Sequence, residues 1–224
     1  MNRSHASNVF WSGSEAAISA SLSFVSAFVV ARLVGPAEVG IGAAAVAVHV
    51  LLWVGVNALF ADALVQRSEV DDTTFSTAFV MSALVGCGAA LAQVAAAHPL
   101  AWALSDHRLV TMSLLLAVPL PLVGAAGPIQ GLLTRQRAYR ALAFRTVIGQ
   151  GLGTLVGIGA ALDGAGAWAL VLQQCVISGA GALALLVNAA VTGGLSMPHD
   201  RYQSRIMWLP PLVLLLSLPR LRAA

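Results

Sequence analysis

His49, Trp53, Asn57 and Phe60 stand four, four and three residues apart in a stretch otherwise made of Ala, Val, Leu and Gly. At 100° per residue they share a helical arc of about 80°. An imidazole at mid-depth of an apolar segment is a functional hypothesis in its own right, because ionisable groups are costly in hydrocarbon. Two readings stay open. The ring is a neutral side chain bonded to a neighbouring helix, or it lines a cavity where it meets substrate or takes a proton. Glu15, Arg32, Asp62 and Arg67 lie near the ends of the first two apolar stretches. They read either as interfacial anchors that snorkel to the head groups or as a charged entrance for an anionic, phosphorylated head group. These four and His49, Trp53 and Asn57 form the candidate substrate-binding set. Gln150, Gln173 and Gln174 are weaker cavity candidates.

Arg135, Arg137, Arg140 and Arg145 fall within eleven residues, interleaved with Tyr139 and Phe144. Such a run attracts anionic lipid at about 1 kcal/mol per charge. It serves topology and anchoring, or it draws in a phosphate-bearing lipid. Catalytic signatures are missing: no GxSxG, HExxH, P-loop or DxD pair is present. Asp71-Asp72 reads as a solvated loop charge beside Arg67. Cys87 and Cys175 form no CxxC pair and join no His/Cys cluster, so they read as small buried hydrophobes. No metal or cofactor is expected, and the chain is not read as an enzyme.

The elements that carry these residues follow from composition. Of 224 residues 58% are hydrophobic and 9% charged, where a soluble domain carries roughly 25% charged. The reading is all-α, a polytopic bundle of transmembrane helices. The net charge of +3 comes with arginines scattered over many loops. That pattern supplies no basic face for nucleic acid.

Spans of about 20 apolar residues are expected near 10–31, 40–61, 75–97, 109–132, 146–162 and 166–190. His98-Pro99 is expected to end the third, with Trp102 at the interface. Pro119, Pro121 and Pro128 are expected to kink the fourth. Gly149, Gly153 and Gly157, with Ala161, give the fifth a small-residue face for close helix crossing. The first span is read as retained, without a signal cleavage site. Eight arginines flank one side of the spans (Arg3, Arg67, Arg135, Arg137, Arg140, Arg145, Arg201 and Arg205) and two the other, Arg32 and Arg108. The excess of basic residues places the N-terminus in the cytoplasm.

Four segments carry a resemblance. Residues 31–40, ARLVGPAEVG, resemble the first periplasmic turn of the polysaccharide and O-antigen flippases of the multidrug/oligosaccharidyl-lipid/polysaccharide exporter superfamily. Residues 63–67, ALVQR, resemble that family's stretch after the second helix. Residues 128–145, PIQGLLTRQRAYRALAFR, resemble its loop from helix four to five, with Tyr139 where Phe is usual. Residues 164–174, GAGAWALVLQQ, resemble the start of helix six.

The resemblance implies two six-helix lobes around a central cavity, with residues 1–195 as the N-terminal lobe. It also implies alternating access driven by an ion gradient. The cargo would be an undecaprenyl-pyrophosphate-linked oligosaccharide crossing the bacterial inner membrane, with membrane lipids and a homodimer or second lobe as partners. Residues 196–224, with Pro210, Pro211 and Pro219, depart from the family's seventh helix and read as a truncated or frameshifted tail. The alternatives are a non-transporting remnant or assembly partner and, with less support, a membrane glycosyltransferase or acyltransferase.

Overall fold

A computed structural model describes residues 3–66, 72–136 and 138–195. Within these, the side chains of 3–12, 60–64, 72 and 191–195 are not described. The described chain is helical throughout: α1 (Arg3–Val34), α2 (Pro36–Gln66), α3 (Asp72–Leu104), α4 (Arg108–Ala117), α5 (Leu120–Arg135), α6 (Tyr139–Leu162) and α7 (Trp168–Leu195). With α4 and α5 counted as one broken span, six segments are long and apolar enough to cross a membrane. The chain is a multi-pass membrane protein. The tail 196–224, Arg67 and Asp71 lie outside the described residues.

Burial runs opposite to that of a water-soluble bundle. Phe24 and Leu51 are 74% exposed and Leu91 71%, while Ala45, Ala97, Ala126, Ala143 and Ala169 are buried. Large apolar chains face the lipid, and small ones let the backbones close up. The packing of α6 on α7 is the most extensive, and the small-residue face makes it so. A Cβ on Gly149 would stand 2.9 Å from the Ile177 carbonyl oxygen, and one on Gly153 would stand 2.9 Å from that of Gln173. Cys87 corrects the sequence reading: it is exposed on α3, while Cys175 is half-buried.

The turns at one face are tight. Gly35 alone joins α1 to α2 at φ +84°, with Pro36 opening α2 where its missing N–H costs nothing. The expected loop there is a single residue. The third span also differs from expectation, because α3 runs through Pro99 to Leu104.

The fourth span breaks at Val118-Pro119, and its prolines are compensated by neighbouring helices. Pro119 cannot donate to the Leu115 carbonyl, which accepts instead from the Val118 N–H at 3.2 Å and the Cys175 thiol at 3.7 Å. Pro128 leaves the Gly124 carbonyl free, and the Ser82 hydroxyl of α3 donates to it at 2.6 Å. Gly86 and Gly124 make that approach possible, since a Cβ on Gly86 would lie 2.6 Å from the Leu120 carbonyl oxygen.

Candidate functional site

The α2 stripe turns inward, but its members do different things. His49 is fully buried. Its Nε2 lies 2.9 Å from the Ser178 hydroxyl of α7, which also accepts from Gln174 Nε2 at 3.3 Å. His49 is absent from the lining of both cavities described below, and its contact with Ser178 is the bond to a neighbouring helix that one of its two readings expects. Ser178, which does line one, stands beside it. Trp53 and Asn57 line that cavity themselves. Asn57 Nδ2 donates to the Trp53 carbonyl at 3.0 Å, which leaves its amide oxygen for the cavity. The Phe60 side chain is outside the described residues.

This first cavity measures 170 Å³ and is lined by α1, α2, α5, α6 and α7. Its one lining cation is Arg145, whose guanidinium donates to the amide oxygen of Gln130. Glu15 stands near but accepts from the Thr146 hydroxyl at 2.6 Å, and no ion pair joins it to Arg145 among the described residues. A cation held by a neutral amide inside a membrane bundle is an electrostatic invitation to an anion. Arg145 belonged to the basic run in the sequence. What singles it out is helix phase, since it lies on the same side of α6 as Gly149 and Gly153, where that helix meets α7.

A second cavity of 410 Å³ opens where α1 and α2 splay apart over α7. Gln150, Gln173 and Gln174 line it, as does Ser23, which accepts from Gln150 Nε2 at 2.8 Å. Arg32 is exposed on the last turn of α1 and lines neither cavity. Asp62 falls on α2 with its side chain undescribed, and Arg67 lies outside the described residues.

Sequence reasoning missed a clamp at the face of the tight turns. Arg108 forks onto Glu38 at 2.9 and 3.0 Å and meets Asp106 at 2.8 Å. Glu38 also accepts from the Ala167 N–H at 2.9 Å. One carboxylate therefore ties the starts of α2, α4 and α7. Gly166, at φ +59°, leaves the space, since a Cβ there would stand 2.7 Å from Glu38 Oε2. The Arg108 guanidinium, and then its backbone N–H, hold the Asp106 carboxyl below its ordinary value. Its share of the clamp is thus complete at neutral pH and is lost only as pH falls through that lowered value.

Among the described residues no group of three or more His, Cys, Asp or Glu side chains gathers as a metal site. The arrangement suits reversible capture of an anionic, hydroxyl-bearing molecule: one guanidinium, several amides and hydroxyls, and an indole face.

Residues 29–207 match the family described as polysaccharide biosynthesis protein. The chain is 28% identical over 170 residues to the succinoglycan biosynthesis transport protein ExoT of Rhizobium meliloti (strain 1021). That match covers 75% of this chain and 34% of the relative, so the chain spans about a third of the relative's length. No solved structure matches it. The family match takes in the turn at Gly35, the broken fourth span and all of both cavity linings except Ser19, Ser23 and Ala27, and the chain belongs to the polysaccharide biosynthesis protein family.

Proposed function

We propose that this chain forms one lobe of a flippase in the bacterial inner membrane. It would carry an undecaprenyl-pyrophosphate-linked oligosaccharide from the cytoplasmic to the periplasmic leaflet for cell-surface polysaccharide assembly. The observation that carries the reading is Arg145, a cation with a neutral partner on the wall of a membrane-embedded cavity. Arg145 lies six residues into α6, about 9 Å along its axis. At that depth, between the membrane face and its centre, a guanidinium costs less than the roughly 3 kcal/mol of a helix-centre charge, and a phosphoryl group beside it would offset what remains. Trp53 offers a flat face to a sugar ring, Asn57 an acceptor, and Glu15, held by the Thr146 hydroxyl, leaves the guanidinium to the anion. Arg32, Asp62 and Arg67 sit at the ends of the first two spans, where the charged cargo enters and exits. A second lobe, or a second copy of this chain, covers the open side of the cavities. The N-terminus is cytoplasmic, and transport is by binding and release without covalent chemistry.

The test is a chimera in which residues 1–195 replace the N-terminal lobe of a full-length relative in a flippase-null strain. Surface polysaccharide should be restored, and Arg145→Gln should cut it at least about tenfold with membrane protein level unchanged, a loss of roughly 1.4 kcal/mol. Normal export by Arg145→Gln sinks the proposal. Residues 1–224 alone should restore nothing. Restoration together with a crosslinked dimer would instead establish a half-size transporter.

A further inference from the structure

The two cavities are neighbours, because Gln150 and Ile177 line both. Their walls differ in kind. The first holds the guanidinium of Arg145; the groove beyond it holds no charged residue and three glutamine amides. Gln150 and Gln174 use their N–H groups on Ser23 and Ser178 and keep their carbonyl oxygens. The Gln173 amide has no hydrogen-bond partner among the described residues. Its place is nevertheless fixed, because a Cβ on Gly157 would come within 2.8 Å of Gln173 Cβ. The bare glycine lets that side chain lie flat on α6.

Hydrocarbon tails cannot satisfy such amides, which cost free energy when buried without partners. A charged ligand would meet no counter-charge in the groove. A sugar hydroxyl is donor and acceptor at once, as an amide is. Gly157, and Gln173 against it, stand twelve residues beyond Arg145 on α6, about 18 Å along the helix.

We infer that the groove between α1, α2 and α7 is a subsite for an uncharged sugar, occupied while the anionic head group rests at Arg145. The inference rests on the flippase reading above and adds an order to it: the sugar moves toward the turn face ahead of the phosphate.

The test uses the full chain in lipid nanodiscs, with Cys87→Ala and Cys175→Ser and one reporter thiol. Ser19→Cys reports the first cavity and Ala27→Cys the groove. The readout is the rate of labelling by a charged methanethiosulfonate. The probes are undecaprenyl pyrophosphate, the same lipid bearing one neutral hexose, and the same lipid bearing one hexuronic acid. All three should slow labelling at Ser19→Cys. Only the neutral hexose should slow it at Ala27→Cys, by about tenfold, the contribution of one to two hydrogen bonds. Gln173→Leu should abolish that second protection and leave the first intact.

Protection of Ala27→Cys by the bare lipid would make the groove a hydrocarbon site and overturn the inference. So would hexose protection that survives Gln173→Leu. Protection of Ser19→Cys alone by all three lipids overturns the inference but not the flippase reading; protection of neither thiol overturns both.

Discussion

His49 shows how a single residue changes meaning once its neighbours are known. As sequence it is an imidazole amid apolar residues. In the fold it fills space between α2 and α7 and is bonded to Ser178. Its replacement should therefore be felt as packing. His49→Ala opens a void and should destabilise the lobe by about 2–4 kcal/mol. His49→Leu keeps most of the volume and should cost about 1 kcal/mol, because Ser178 keeps its bond from Gln174 and borders a cavity. Thermal unfolding in detergent would rank the two. Export by the chimera described above should follow protein level in both. Loss of export by His49→Leu at normal protein level would return the imidazole to a transport role.

Among the elements, the broken fourth span gives the sharpest test of cause. If Ser82 is present because Pro128 frees the Gly124 carbonyl, the two residues are energetically coupled. Ser82→Ala alone should cost about 1–3 kcal/mol, the penalty of a buried unpaired carbonyl. In a Pro128→Ala background the restored N–H can take that carbonyl, and Ser82→Ala should cost little. Equal costs in both backgrounds would refute the compensation. The break itself was legible, because proline constrains the backbone locally. The extension of α3 through Pro99 was not, since a proline can either end a helix or be carried inside one that spans a membrane. Six spans were legible because lipid demands long apolar runs. The phase of Arg145 relative to Gln130 was hidden, since four arginines in eleven residues look alike until α5 is packed beside α6. The Glu38 clamp was hidden for another reason: its partners are 70 and 129 residues away, and no local pattern announces a pairing that the whole topology makes.

At the scale of the whole molecule, the tight turns and the clamp occupy one face, and the end of α2 and the starts of α3 and α6 the other. Reporter fusions at Ala37, His107 and Gly164 should read periplasmic, and fusions at Val70 and Ala138 cytoplasmic. A cytoplasmic signal at Ala37 would invert the assignment and move Arg145 to the opposite leaflet. The clamp also carries a timetable. Glu38 leaves the ribosome long before the groups it binds. At roughly 5–20 residues per second, Arg108 follows several seconds later and Ala167 later still. Through that interval the first hairpin holds a carboxylate with neither partner, kept at the water boundary by Gly35 and Pro36. Arrival of the fourth span gives it a guanidinium, and the sixth closes the ring through a backbone N–H. The last tie at this face thus forms only when the start of α7 is in place, so a ribosome that stops before it leaves the turn at Gly166 unjoined to the other two.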